Sequence, residues 1–330
     1  MNTFTYLGLE FNKNGRYISA MKNNLSKAKR AAFSITKKAK SLNLSVSCQI
    51  HMINTIVKPI LLYGCEIFCY ENVKMLESFY VQCLKRILCV KNTTPSFMVY
   101  AETGCYPIYM DAMKRALCFY IKTQSATNSN LSKMLLSALH KKHSYNLINS
   151  NYLSYINSSL IKIGFPVLFN NTNPVTTCSV KQMCTYIKKS TTDSYLHSWH
   201  IKMNNSSKAI FYREIKEIYE FEPYLDILQK SKRITLTKFR LSNHYLPVET
   251  GSWQNIPREF RTCPICPTKI GNEFHYLFEC PSTLSQRKIT IPNYFLNNPN
   301  IFKMKKLFKV TDKNNLIELT SLIFNILKLF

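Results

Sequence analysis

The densest group of chemically active side chains lies between residues 263 and 280: Cys263-Pro-Ile-Cys266, His275 and Cys280, in the order Cys-x2-Cys-x8-His-x4-Cys. Three thiols and an imidazole are the ligands of a closed tetrahedral zinc site, and Cys3His sets form a known structural class. Cys-x-x-Cys wraps a tight turn around a cation, and Pro264 pre-sets part of that turn. The stretch from Pro267 to Asn272 reads as a second turn, with Gly271 and Asn272 as its break. His275 and Cys280 are close enough to share a short helix, or a helix and its terminus. Four protein ligands leave no open position for water, so the expected zinc, one per chain, is structural rather than hydrolytic. It would hold together a segment too small for a core of its own. Glu273 has two readings, an acceptor that orients one of the ligands or a solvated loop carboxylate.

Charge is the next constraint. The chain carries 44 Lys and Arg against 18 Asp and Glu, a formal net charge of +26. Such self-repulsion is relieved by a polyanion, so nucleic acid or an anionic membrane surface is the expected partner. No run reaches the roughly 18 apolar residues of a spanning helix, so no membrane span is expected. Twelve cysteines are spread over 330 residues, several (Cys65, Cys83, Cys118) inside apolar helical patterns. A disulfide scaffold belongs to short secreted chains, and Met1–Arg16 has no apolar signal region. Reduced thiols in the nucleus or cytoplasm are the expectation.

Apolar periodicity predicts a mainly α fold with a short N-terminal β-hairpin and a small zinc finger near the C-terminus. The hairpin is expected to run from Phe4–Phe11 through a turn at Asn14-Gly15 into a return strand at Arg16-Tyr-Ile18. Met21, Leu25, Ala28, Ala32, Ile35, Ala39 and Leu42 then form one helical stripe. Lys22, Lys27, Lys29, Arg30, Lys37, Lys38 and Lys40 all fall off that stripe, and Ala20–Leu42 contains no acidic residue. A solvated helix face normally mixes charge signs; a face of one sign points to phosphate contact, with an ordinary solvated face as the alternative. Further helices are expected over 50–62, disturbed near Pro59, then 73–89, from Thr94-Pro95 to Gly104, and over 110–122. Others are expected over 180–199, 208–221 and 233–241, with a final amphipathic helix over 314–330; Asn170–Asn173 reads as a break. Composition shifts divide the chain into a helical domain (1–126), a helical connecting region (127–231), a basic segment with the finger (232–283) and a loop with the C-terminal helix (284–330).

Two groups of segments carry a resemblance. Tyr6-Leu-Gly-Leu9, the basic helix, Pro59-Ile-Leu-Leu-Tyr-Gly-Cys-Glu66 and Glu102-Thr-Gly-Cys-Tyr-Pro107 resemble the part of non-LTR (LINE-type) retrotransposon reverse transcriptases that leads from the palm into the thumb. Arg240-Leu-Ser-Asn-His-Tyr-Leu-Pro-Val-Glu-Thr-Gly251, Pro257-Arg258, Arg261-Thr-Cys263, Cys266, Glu273-Phe-His275 and Cys280-Pro281 are similar to the C-terminal cysteine-histidine segment of the same elements. The two groups cover about half the chain, in the family's order.

The resemblance implies a thumb-like helical bundle and a zinc-knuckle segment that grip an RNA template or RNA–DNA duplex. It also implies a palm or fingers piece as a partner. Family polymerisation uses clustered aspartates holding two metals, which requires converging carboxylates. This chain offers only Asp111, Asp193, Asp226 and Asp312, none adjacent, and no palm precedes Phe4. The expectation is therefore a nucleic-acid-binding fragment, not an enzyme on its own. Beside the finger, Lys238, Arg240, His244, Arg258 and Arg261 are the candidate nucleic-acid contacts. Against this, Arg240 can pair with Glu249, and His244 can be a hydrogen-bonded packing residue. Two rival readings are a helical interaction scaffold that docks through the C-terminal helix, and a retrotransposon remnant without activity.

Overall fold

A computed structural model describes residues 3–68, 70–71, 73–170 and 179–330. The expected break at Asn170–Asn173 lies largely outside these residues. The chain opens with strands β1 (Thr3–Tyr6) and β2 (Leu9–Asn12), which pair antiparallel with Tyr6 opposite Leu9. The hairpin therefore turns at Leu7-Gly8, not at Asn14-Gly15. Both turn residues have positive φ, 48° and 79°, the two-residue geometry that matches strand twist and that glycine adopts freely. Asn14-Gly15 forms a separate turn, with the Gly15 amide donating to the Asn12 carbonyl at 2.9 Å. The residues expected as a return strand instead lead into α1 (Ile18–Ser41).

Other helices of six residues or more are α2 (Val46–Met52), α3 (Lys74–Leu88), α4 (Ser96–Thr103), α5 (Ile108–Gln124), α6 (Leu131–Ser144), α7 (Asn151–Lys162), α8 (Val180–Asn205), α9 (Ile210–Ile215), α10 (Lys230–Arg240), α11 (Pro247–Trp253), α12 (Leu284–Thr290), α13 (Ile301–Phe308) and α14 (Lys313–Leu327). Of these, α6, α7, α11, α12 and α13 are not among the expected helices, and α12 and α13 stand in the segment expected as a loop. The disturbance expected at Pro59 is a π-helical stretch, Ile53–Val57, before a last α turn at Lys58–Leu61. A proline has no N–H for the ladder, and a π turn is one way to absorb the lost bond. The helix expected over 208–221 stops at Ile215. Lys216 is extended, and its buried ammonium donates to the Glu220 carbonyl at 2.7 Å. Among the described residues, no helix is long and apolar enough to cross a membrane.

The chain forms two units, each assembled from separated stretches rather than from consecutive segments. The first comprises Met1–Ser41, Met52–Tyr80 and Tyr106–His200. Its core joins Leu117, Tyr120 and Ile121 of α5 to Leu153, Ile156 and Leu160 of α7 and Ile187 of α8. In the same unit the Tyr63 hydroxyl donates to the Leu7 carbonyl at the hairpin turn, and buried Asn24 donates to the Tyr63 carbonyl at 2.9 Å.

The second unit comprises Leu42–His51, Val81–Cys105 and Ile201–Phe330. Phe211, Phe239 and Phe308 meet in its core, with ring centroids 5.4–6.3 Å apart. Beside them Glu102, fully buried, meets Arg240, 1% exposed. Arg240 Nε donates to Glu102 Oε1 at 2.6 Å and Nη2 to Glu102 Oε2 at 3.3 Å; Nη2 also lies 3.0 Å from Glu222 Oε2. Lys216 Nζ reaches Glu222 at 2.5 Å. The hydroxyls of Tyr212 and Tyr224 donate to Glu102 at 2.8 and 2.7 Å. Two carboxylates and two cations make the network neutral.

Burial raises the Glu102 carboxyl, but Arg240 outweighs it and holds the group below its ordinary range. Arg240→Met strands a buried carboxylate and is expected to cost about 3–5 kcal/mol in urea denaturation of the full chain. Because the folded pKa of Glu102 is depressed, its contribution is complete above about pH 4.3, the ordinary glutamate value, and is lost as pH falls through the lower folded value. Stability of the native chain should fall on acidification through that window, and the loss should be shallower in Arg240→Met. An unchanged slope would remove Glu102 from the acid transition.

Candidate functional site

The second unit brings Cys263, Cys266, His275 and Cys280 together, with their ligand atoms all within 4.8 Å of one another. Two short local structures do this. The first is a loop-back: the Cys263 amide donates to the Lys269 carbonyl at 2.8 Å, the Lys269 amide to the Cys266 carbonyl at 2.9 Å, and Thr262 bridges Ile270. Gly271 serves this loop through close approach rather than through a special turn angle, since a Cβ there would lie 2.8 Å from Pro247 Cγ. The second is the π-helical stretch His275–Glu279, closed by the Cys280 amide donating to the His275 carbonyl at 2.8 Å. Asn272 Oδ1 accepts from the His275 amide at 2.8 Å and fixes where that stretch begins.

The donor set fits a cation. Cys263 and Cys280 sulfurs are 3.8 Å apart and unbonded. Burial disfavours a Cys263 thiolate, but the Tyr276 hydroxyl and the amides of Ile265 and Cys266 outweigh it and bring its pKa to about 6. Burial and then the sulfurs of Cys280 and Cys263 push Cys266 up to about 11. Three adjoining sulfurs do not all ionise without a positive charge among them. His275 is 3% exposed; its Nδ1 lies 3.2 Å from Glu279 Oε2, and its buried Nε2 has no hydrogen-bond partner. A carboxylate on one ring nitrogen leaves the lone pair of the other for a metal. The cluster can therefore hold a metal ion.

The outer contacts differ from the sequence expectation. Glu273 accepts from His244 Nε2 at 3.1 Å and makes no bond to His275; Glu279 is the carboxylate on the ligand. Sequence alone separates these two poorly, because both lie within four residues of His275. Ser282 Oγ sits 3.0 Å from the Cys280 sulfur. Buried Arg287 donates to the Cys280 carbonyl at 2.9 Å and to Thr283 Oγ1 at 3.0 Å. A helical arginine seven residues beyond the last ligand carried no sequence signal for this role.

The candidate contacts flanking the finger mostly point inward. Arg240 belongs to the Glu102 network and pairs with Glu102 and Glu222, not with Glu249. His244, 2% exposed, is the hydrogen-bonded packing residue. Arg261 Nε and Nη1 donate to the carbonyls of Ile256 and Val248, both at 2.8 Å. Buried groups already paired in this way are not open to phosphate, so Arg240 and His244 are not nucleic-acid contacts and Arg261 braces the loop. Lys238 and Arg258 are half-buried, and burial lowers the Arg258 pKa.

In the first unit, α1 places Lys22, Lys27, Lys29, Arg30, Lys37, Lys38 and Lys40 all in solvent. Ala20, Met21, Asn24, Ala28, Ala32, Ile35 and Ala39 make its buried side. Of the expected stripe, Leu25 is half-buried and Leu42 lies exposed beyond the helix end. Among the described residues, none of the seven cations forms an ion pair. Three of the four aspartates have separate local roles: Asp111 pairs with Lys58, Asp226 accepts from the Ser47 amide at 3.1 Å, and Asp312 caps α14.

Cys280→Ser is expected to abolish stoichiometric metal in chain purified without chelator, measured by plasma emission. Glu279→Gln should keep the stoichiometry but weaken affinity about 10- to 100-fold in competition with a chromophoric chelator. Equal affinity in the two proteins would detach Glu279 from the site. No family model, no curated protein and no solved structure matches the chain.

Proposed function

We propose that the chain is a nucleic-acid-binding part of a LINE-type reverse transcriptase, which holds an RNA template or RNA–DNA duplex for polymerisation performed by a palm partner. The observation that carries this reading is the exposed face of α1: seven cations, no acid and no ion pair. Phosphates are the complement of such a face, because each neutralised phosphate releases condensed counterions.

Two contacts support the resemblance behind the proposal. Tyr63 of the Pro59–Glu66 segment bonds the turn of Tyr6–Leu9, and Glu102 of the Glu102–Pro107 segment bonds Arg240, which opens the second group of segments. The segments that carry the likeness are thus paired with each other inside each unit. The metal in this reading is zinc in a structural role. Two thiolates about 2.3 Å from a tetrahedral zinc sit about 3.8 Å apart, the separation of the Cys263 and Cys280 sulfurs. The chain contributes no catalytic group to polymerisation. Of the apolar residues behind the scaffold reading, Leu319, Leu322, Ile323 and Ile326 are buried within the second unit, Ile317 and Leu327 are half-buried and Phe330 is 43% exposed, so that reading keeps only the exposed end of the helix.

Fluorescence anisotropy with labelled RNA and RNA–DNA duplex tests the proposal. The logarithm of affinity should fall linearly with the logarithm of salt concentration. Lys29→Ala or Lys37→Ala should each reduce that slope by roughly 0.7–0.9, the share of one phosphate contact. Binding that is flat with salt would overturn the reading. Metal analysis that finds no zinc in the purified chain would remove zinc from it.

A further inference from the structure

The basic face of α1 contains one residue that does not belong on a solvated surface. Phe33 is 73% exposed. Its helix neighbours are Lys29 and Arg30 one turn before it, Lys37 one turn after it and Lys40 one turn further, all in solvent. Positions three and four apart on a helix have Cβ atoms about 5–6 Å from each other, so the ring stands between Lys29 and Arg30 on one side and Lys37 on the other, with Lys40 a turn beyond. No aromatic or cationic group among the described residues covers it. Phosphate contact explains the cations and leaves the phenyl ring unexplained.

We propose that Phe33 is a stacking platform for an unpaired base, with Lys29, Arg30, Lys37 and Lys40 holding the flanking phosphates, so that α1 takes single-stranded nucleic acid. A basic groove with an exposed aromatic is the arrangement by which single strands are held without sequence preference. A duplex offers the same phosphates, but its bases are already stacked on one another. An anionic membrane does not fit the same face. Interfacial helices insert their apolar stripe, and the stripe of α1, with Ala28, Ala32 and Ile35, is buried in the first unit. The inference rests on the nucleic-acid reading of α1 and narrows it to strands with free bases.

The test measures binding of the full chain to three labelled probes at several salt concentrations: a short single-stranded RNA, an abasic strand of the same length and an RNA–DNA duplex. Phe33→Ala is expected to weaken binding of the single-stranded RNA about 5- to 150-fold, the range of one lost stacking contact. Its salt slope, and its affinity for the abasic strand and the duplex, should stay unchanged. Phe33→Trp should bind the single-stranded RNA at least as tightly as the native chain. Phe33 is exposed, and alanine is the better helix former, so circular dichroism should show the same helix content. Equal loss on all three probes, or no loss on any, overturns the stacking role and leaves phosphate binding standing. With phosphatidylserine vesicles as a fourth probe, loss of vesicle binding in Phe33→Ala with RNA binding intact overturns it in favour of a membrane surface. Absence of binding to every probe by the native chain overturns this inference and the proposed function together.

Discussion

Glu102 and Arg240 meet where there is no water, and the second unit depends on neither being left alone. Removing two such ions from solvent costs several kcal/mol each, and their attraction offsets this only with good geometry and satisfied remaining donors and acceptors. The fold supplies both. Tyr212 and Tyr224 take up the lone pairs of Glu102, Glu222 shares the guanidinium, and Lys216 balances Glu222. Residues from α4, α9, the stretch after it, and α10 must all arrive together for the charges to cancel. The end of α9 at Ile215 follows from this, because Lys216 leaves the helix to reach Glu220 and Glu222.

The same constraint sorts the chain's positive charge into two kinds. In the second unit Arg240, Lys216, Arg261 and Arg287 turn inward and serve carboxylates or backbone carbonyls. On α1 the cations turn outward with nothing to neutralise them. Only the second kind is available to a polyanion, so a net charge of +26 says less about binding than the seven residues on one face. The metal cluster belongs with the inward kind. Its cysteines and histidine tie the loop after α11 to the start of α12, beside the buried Tyr276, Leu277 and Phe278.

The helices with a long apolar stripe and the ligand set are legible in the sequence because both are local, whereas α6, α7, α11, α12 and α13 carry no such stripe in the sequence reading. A stripe at steps of three and four fixes α1 to within three residues at its start, and Cys-x2-Cys-x8-His-x4-Cys names the four candidate ligands without a fold. What was not readable is non-local or needs geometry. Arg240 looks like a phosphate contact until Glu102, 138 residues away, is seen against it. Glu273 and Glu279 are equivalent by spacing, and only the side on which His275 Nδ1 emerges separates them. The hairpin turn was misplaced because Asn-Gly is the stronger turn signal, whereas Leu7-Gly8 is held at the turn by the distant Tyr63 hydroxyl. Phe33 falls off the apolar stripe as the lysines do, and only its exposure distinguishes it from a core aromatic.

The separation of Glu102 from Arg240 has a consequence for the order in which the chain matures. During synthesis at about 5–20 residues per second, Glu102 emerges some 7 to 28 s before the guanidinium that neutralises it. For that interval α4 presents an unmatched carboxylate and cannot close its core, because loop closure over such a distance waits for the distal segment. The first unit closes earlier, since its last stretch ends at His200. Nascent chains halted before Arg240 should thus hold a protease-resistant first unit beside a sensitive second one.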